Sequence, residues 1–138
     1  MGRARILVAD DHPSMLERIS RLLSADYDVI AAVSDGLAAL ETALALRPDL
    51  LVLDISMPKM TGLEAAAKLA EEPKAPPVIF LTVHDDQEFI DAARSLGALG
   101  YVLKRNIGTE LLPVVRRALA GQATLLATLI AHSALANS

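Results

Sequence analysis

The chain of 138 residues is long enough to form one compact domain with a buried core. Hydrophobic residues make up 53% and charged residues 22%, a composition that excludes a disordered chain, and the absence of cysteine excludes disulfides and thiolate chemistry. The net charge of −4 argues against broad binding of nucleic acid. The first apolar run ends at Asp10 and is too short for a signal peptide or a membrane span, so we expect a cytoplasmic protein without a membrane partner.

Five short apolar runs recur along the chain, and helical segments separate them. None of the runs alternates apolar with polar residues, which is typical of strands buried on both faces. They are Ile6–Ala9, Val29–Val33, Leu50–Leu53, Val78–Val83 and Tyr101–Leu103. Between them, apolar residues have helical spacing, and Pro13, Gly62 and Gly97 mark helix boundaries. This alternation predicts a doubly wound α/β fold, a five-stranded parallel sheet with right-handed crossovers and helices on both faces.

The last predicted helix contains a proline. Pro113 cannot donate a backbone hydrogen bond, so we expect the helix to begin late or to kink there, with Asn106 or Thr109 as its cap. We expect residues 1–121 to form one domain. Residues 122–138 would then be an apolar tail or a helical extension, not a separate domain.

Polar side chains stand at the ends of four predicted strands. Asp10 and Asp11 follow the first, Asp54 the third and Lys104 the fifth, while Thr82 lies near the end of the fourth. The carboxyl ends of parallel strands form one crevice, so these groups should converge. Three carboxylates repel one another unless a cation joins them, and Mg²⁺ suits a few carboxylates completed by water. The set predicts a Mg²⁺ site for a phosphoryl group, with the centrally placed Asp54 as the nucleophile.

The residues also match a known family. The stretch DISMPKMTG (54–62) and the stretch GYVLK (100–104) resemble the receiver domains of two-component response regulators. DDHP (10–13) and LTVHDDQEF (81–89) are most similar to the NarL/FixJ-type subgroup. The resemblance covers about residues 4–121. It implies a CheY-like, flavodoxin-like fold with strand order 2-1-3-4-5, and a signalling domain, not an enzyme with separate substrates.

The resemblance implies which residues accept the phosphoryl group and hold the metal. Asp54 would take the group from a sensor histidine kinase, a phosphotransfer protein or a small acyl phosphate. Asp11 and Asp54 would ligate Mg²⁺ directly, and the backbone carbonyl of Ser56 would be a third protein ligand. Asp10 would act mainly through water.

The resemblance also implies a switch. Lys104 would pair with phosphoryl oxygens, and Thr82 would donate a hydrogen bond to one of them. Movement of Thr82 would let Tyr101 rotate inward, which changes the surface around the fourth helix and the fifth strand by a population shift. The histidines beside the site, His12 and His84, are interpreted as polar loop residues without a catalytic role.

Three other functions compete with this interpretation. An enzyme with an aspartate nucleophile would need a second carboxylate two residues later, and position 56 is Ser. A nucleotide- or flavin-binding module would need a phosphate-binding loop after the first strand, and residues 10–13 are DDHP instead. A scaffold receiver that binds partners without phosphorylation is the third alternative.

The partners follow from the resemblance as well. We expect a histidine kinase or phosphotransfer protein as donor, and no nucleic acid bound by this chain itself. The chain could be a stand-alone receiver or part of a longer transcription regulator with a DNA-binding output domain. A homodimer could form through the last strand and helix, or through the first and last helices with residues 123–138.

Overall fold

The computed structural model describes residues 2–83 and 85–121. Within them the strands form one parallel sheet with five members in the order β2-β1-β3-β4-β5. The strands are β1 (Arg5–Ala9), β2 (Asp28–Val33), β3 (Leu50–Asp54), β4 (Val78–Thr82) and β5 (Gly100–Leu103). The helices are α1 (Pro13–Ser24), α2 (Gly36–Leu46), α3 (Gly62–Leu69), α4 (Gln87–Ser95) and α5 (Ile107–Leu119), with a 3₁₀ turn at Lys104–Asn106. The predicted fold and strand order are confirmed.

Two hydrophobic cores lie on opposite faces of the sheet. Along β1, Leu7 and Ala9 face the core that α2, α3 and α4 cover, whereas Ile6 and Val8 face the core beneath α1 and α5. This alternation follows from the two-residue period of a strand. Both faces are covered, which explains why the sequence of β1 is continuously apolar.

The edge strands differ from the prediction of burial on both faces. β1, β3 and β4 are almost completely buried, but β2 has no fully buried residue and β5 alternates between buried and half-buried positions. Both lie at an edge of the sheet and have only one neighbouring strand. β4 also ends one residue earlier than predicted, at Thr82, and the Val83 that follows it is 66% exposed.

Of the two outcomes expected for Pro113, a late start of α5 or a kink, the late start is wrong. The helix begins at Ile107 and continues through the proline. A proline at this position removes only the hydrogen bond to the carbonyl of Thr109. The buried side chains of Leu111 and Val115 hold the helix against the sheet on either side of that gap. Asn106 precedes the helix, but its side chain makes no capping hydrogen bond.

Two further predictions concern the ends of the chain and the membrane. The predicted tail, residues 122–138, lies outside the described residues, and so does any dimer contact that it would make. Among the helices of the described chain, none combines the length and the apolar character that a membrane crossing requires.

Thr61 closes the N-terminus of α3 with a capping box. Its hydroxyl accepts a hydrogen bond from the backbone N–H of Glu64 at 3.1 Å, and the Glu64 side chain accepts one from the N–H of Thr61. We expect Thr61→Ala to lower the free energy of unfolding by about 1 kcal/mol, measured by urea denaturation. Thr61→Ser keeps the acceptor and should lose clearly less. Equal losses in the two variants would show that the hydroxyl contributes nothing.

Candidate functional site

The carboxyl edge of the sheet gathers the buried polar residues of the described chain. Asp10 is 0% exposed, Asp54 3%, Thr82 1% and Lys104 7%. They come from the ends of β1, β3, β4 and β5, which are neighbours in the sheet. Burial of charge is costly unless opposite charges meet. The convergence that the sequence predicts is therefore present, and its charges need partners inside the site.

Lys104 bridges two of the carboxylates. Its Nζ lies 2.7 Å from Oδ2 of Asp10 and 2.9 Å from Oδ2 of Asp54. The other oxygens of these two residues point to backbone donors: the N–H of His12 donates to Asp10 Oδ1 at 2.9 Å, and the N–H of Ser56 donates to Asp54 Oδ1 at 3.3 Å. One ammonium group thus fixes both carboxylates, and each carboxylate keeps a second oxygen on the opposite side.

Burial and the Lys104 bridge together shift the pKa values of Asp54 and Lys104. Burial raises the pKa of Asp54, an effect that the hydrogen bond and the charge of Lys104 partly offset and that the negative charge of Asp10 reinforces. For Lys104, burial alone would lower the pKa, but the hydrogen bonds to Asp10 and Asp54 outweigh burial and raise the pKa above its ordinary value. Lys104 is therefore a cation at neutral pH.

The acidic residues form a group that could hold a metal ion. Ligand atoms of Asp10, Asp11, His12 and Asp54 lie within 4.8 Å of one another. Oδ1 of Asp11 is buried and accepts no hydrogen bond from the described residues. The three carboxylates carry more negative charge than Lys104 neutralises. Carboxylate oxygens are the ligands of hard divalent cations, so the donor set fits such an ion.

His12 is closer to the carboxylates than the sequence suggests. Its Nδ1 lies 3.3 Å from Oδ1 of Asp10 and 3.2 Å from Oδ1 of Asp11. The interpretation of His12 as a polar loop residue missed this placement. The signal in the sequence is its position directly after the two aspartates. His84, the other flanking histidine, lies outside the described residues.

Tyr101 lies beside Thr82. The phenol of Tyr101 is half-buried, packs against the core beneath α3 and α4, and forms a hydrogen bond with the side chain of Thr82. Burial raises the pKa of Tyr101 to about 12, although the hydrogen bond from Thr82 acts in the opposite direction and Asp85 and Asp86 add to the rise. A displacement of Thr82 would therefore alter its hydrogen bond with Tyr101.

Two glycines that carry no chemistry hold the loop after β3 in place. A Cβ on Gly62 would lie 2.0 Å from the carbonyl oxygen of Asp54, and a Cβ on Gly36 would lie 1.7 Å from the carbonyl oxygen of Met60. The N–H of Gly62 also donates to the carbonyl of Ile55 at 2.8 Å. The sequence marks Gly62 only as a helix boundary and gives no signal for Gly36, because the contact joins distant segments.

Curated relatives match most of the chain. The family described as the response regulator receiver domain matches residues 6–116. The oxygen regulatory protein NreC of Staphylococcus epidermidis is 36% identical over 121 residues, which are 86% of this chain and 56% of that protein. The nitrate/nitrite response regulator protein NarL of Escherichia coli is 36% identical over 124 residues, covering 88% of this chain and 57% of that protein. The chain thus spans about half the length of these relatives.

Solved structures agree with the curated relatives. The signal receiver domain of NarL from Mycobacterium tuberculosis superposes with a TM-score of 0.83 at 33% identity, covering 88% of this chain and all of that one (100%). A two-component response regulator of the LuxR family from Aurantimonas reaches a TM-score of 0.85 at 30% identity, covering 97% of this chain and 99% of that one. The resemblance to the NarL/FixJ-type subgroup is confirmed, and the chain belongs to the family of response-regulator receiver domains of two-component systems.

Proposed function

We propose that this receiver domain, residues 1–121, takes a phosphoryl group onto Asp54 from a sensor histidine kinase or a phosphotransfer protein, with Mg²⁺ bound. The observation that supports it most strongly is the buried carboxylate of Asp54 with the ammonium of Lys104 at 2.9 Å. A lone carboxylate at this depth would favour its neutral form. Lys104 partly offsets that tendency through its hydrogen bond and its charge, which favour the ionised, nucleophilic form of Asp54.

The residues of the site suit an in-line transfer. An oxygen of Asp54 attacks phosphorus while the bond to the nitrogen of the donor histidine breaks, and the imidazole of the donor then takes a proton. Lys104 can turn from the Asp54 oxygen to an equatorial phosphoryl oxygen, and Thr82, at the end of the neighbouring β4, can donate a hydrogen bond to another. Fixed charges and donors of this kind supply most of the catalysis of phosphoryl transfer.

The metal ligands that we propose are Asp11 and Asp54 directly, Asp10 through water and the backbone carbonyl of Ser56. The buried Oδ1 of Asp11, which lacks a hydrogen bond from the described residues, supports this set. When bound, Mg²⁺ would neutralise charge on the phosphoryl oxygens. The chain's own contribution is to hold these oxygens at one edge of the sheet with the help of Lys104.

The output would be a change of surface. We propose that Thr82 moves toward the phosphoryl group and that Tyr101, its hydrogen-bonding neighbour, follows. A local charge change then biases two states of the surface formed by α4 and β5. The domain would act in the cytoplasm as a signalling module, and it would catalyse only its own phosphorylation and dephosphorylation.

The relatives support a place in transcriptional control. A solved structure with 25% identity and a TM-score of 0.80 is a DNA-binding response regulator of the LuxR family from Staphylococcus aureus. We propose that the chain serves a regulator of this kind, in which a separate output domain contacts DNA. The net charge of −4 gives this chain no basic footprint of its own.

The experiment is an intact-mass measurement after incubation with a small acyl phosphate or with phosphorylated kinase. The parent should gain one phosphoryl mass when Mg²⁺ is present and none after chelation, and Asp54→Asn should gain none. Asp26→Asn, at an exposed position, is the matched control and should behave as the parent. An unchanged parent with both donors would leave the scaffold receiver as the better explanation.

A further inference from the structure

We propose that His12 is an additional metal ligand, and that its Nδ1 extends the cation range of the site from Mg²⁺ to first-row transition ions such as Ni²⁺ and Zn²⁺. The inference rests on the proposed function in one respect, since it uses the same aspartates, although Oδ1 of Asp10 would bind the transition ion directly and Mg²⁺ only through water. It adds a nitrogen donor to a site that otherwise offers oxygen alone.

The first support is the spacing of the donor atoms. Nδ1 of His12 lies 3.3 Å from Oδ1 of Asp10 and 3.2 Å from Oδ1 of Asp11. Adjacent ligands of an octahedral ion with bonds of about 2.1 Å stand roughly 3 Å apart. Each of the two oxygens therefore lies at a distance from Nδ1 that suits neighbouring ligands of one cation, and the ligand atoms of the group lie within 4.8 Å of one another.

The second support is the direction in which the carboxylates face. Lys104 occupies Oδ2 of Asp10 and Oδ2 of Asp54, so the ammonium group lies on one side of the cluster. Oδ1 of Asp10 and the buried Oδ1 of Asp11 face the ring of His12 instead. A cation on that side would meet carboxylate oxygens and the imidazole together, without displacing Lys104.

The third support is that a single hydrogen bond does not account for both close contacts of the ring. One imidazole nitrogen carries at most one hydrogen, yet Nδ1 lies at nearly equal distances from two carboxylate oxygens. The contact with Asp10 at 3.3 Å is a long hydrogen bond, and the one hydrogen that makes it cannot fully satisfy the Asp11 oxygen at 3.2 Å as well. His12 precedes α1 at its N-cap position, but its side chain makes no capping hydrogen bond.

The backbone sets the position of the ring, and solvent can reach it. The N–H of His12 donates to Asp10 Oδ1 at 2.9 Å, and Pro13, the next residue, restricts the backbone of His12. The side chain of His12 is 68% exposed, whereas that of Asp10 is 0% exposed. Imidazole favours ions that follow Mn²⁺ in the first row, while carboxylate and water favour Mg²⁺. His12 therefore acts as a specificity-determining ligand at the open side of the site.

The test is isothermal titration calorimetry of the unphosphorylated full chain with Ni²⁺ and with Mg²⁺, at a pH where imidazole is neutral. We expect His12→Ala to weaken Ni²⁺ binding about tenfold or more, and to change Mg²⁺ binding less than about threefold. His84→Ala and His132→Ala replace the chain's other two histidines and should keep the Ni²⁺ affinity of the parent. A second readout is the ¹⁵N resonance of the His12 ring, which should shift with Zn²⁺ and stay in place with Mg²⁺.

Three results would overturn the inference. If His12→Ala binds Ni²⁺ as the parent does, His12 is not a ligand, and the proposed Mg²⁺ site stands. If His84→Ala or His132→Ala loses Ni²⁺ affinity to the same extent as His12→Ala, the nitrogen belongs to another histidine. If the parent binds neither ion, the metal site of the proposed function fails together with this inference.

Discussion

Gly62→Ala is expected to lower the free energy of unfolding by about 3 kcal/mol, the upper part of the range for overpacking. The added methyl would lie 2.0 Å from the carbonyl oxygen of Asp54 and 2.9 Å from its carbonyl carbon. Backbone atoms cannot rotate away as the end of a side chain can, so α3 or the end of β3 must shift. Since that carbonyl belongs to Asp54, phosphoryl uptake should fall together with stability.

Urea denaturation and intact-mass phosphorylation measure the two effects. Gly108→Ala is the matched control, because a Cβ there meets only the end of the Arg18 side chain at 3.5 Å. Gly108 lies in the first turn of α5, where alanine is the better helix former, so the control should be neutral or slightly stabilising. Equal midpoints for Gly62→Ala and Gly108→Ala would show that the loop yields to the methyl group without cost.

The glycines illustrate what the sequence could not predict. Gly62 does not have a positive φ, so no turn type requires glycine there, and its role depends on a contact with the end of β3. Gly36, at the start of α2, meets Met60 in the loop before α3, and the two residues are distant in the sequence. The spacing of apolar residues shows whether a segment is a helix or a strand. It does not show how closely two segments that are distant in the sequence approach each other.

The convergence of the polar residues could be predicted because it follows from topology. Parallel strands end at one edge, so the residues that follow them meet whatever the details of packing. Asp10, Asp54, Thr82 and Lys104 are brought together for that reason. The bridge from Lys104 to both carboxylates, and the ring of His12 against Asp10 and Asp11, depend on side-chain directions that no strand pattern determines.

Local sequence patterns also could not predict two further features, the partial burial of the edge strands and the course of α5 through Pro113. Both depend on tertiary packing. A continuous apolar run predicts a strand with two covered faces, yet β2 has only one neighbouring strand and is covered less completely. Pro113 is an unfavourable residue inside a helix on local grounds. The buried stripe of α5, with Leu111 and Val115, compensates for the lost hydrogen bond. Tertiary packing decided both cases.

The second large effect is expected when Lys104, which bridges Asp10 and Asp54, loses its charge. Lys104→Met keeps the length of the side chain and removes its charge, which leaves the buried carboxylates of Asp10 and Asp54 without their common partner. We expect the free energy of unfolding at neutral pH to fall by about 3 kcal/mol, as for other broken buried ion pairs. Phosphoryl uptake should be lost almost completely. Lys68→Met, an exposed change on α3, is the control and should alter neither quantity.

The pH dependence distinguishes lost charge pairing from lost packing. In the folded parent the pKa of Lys104 is above its ordinary value, so its stabilisation is present below pH 10.5 and is lost as the pH rises through the folded pKa. In the variant, burial raises the pKa of Asp54 without the opposing ammonium, so stability increases as the pH falls and protons bind the folded state. The deficit should be largest near neutral pH and smaller in acid. A deficit that does not change with pH would indicate packing alone.

Magnesium should separate the structural role of Lys104 from its chemical role. Without the ammonium of Lys104 the negative charge of Asp10 and Asp54 is no longer neutralised, so Lys104→Met should bind Mg²⁺ more tightly than the parent. Binding to the folded state alone stabilises it by about 2.7 kcal/mol at a metal concentration of 100 times Kd, which would restore most of the loss. Calorimetry and thermal unfolding with Mg²⁺ measure both effects. The restored variant should still fail to accept a phosphoryl group, because the metal replaces the charge of Lys104 but not its contact with the phosphoryl oxygen.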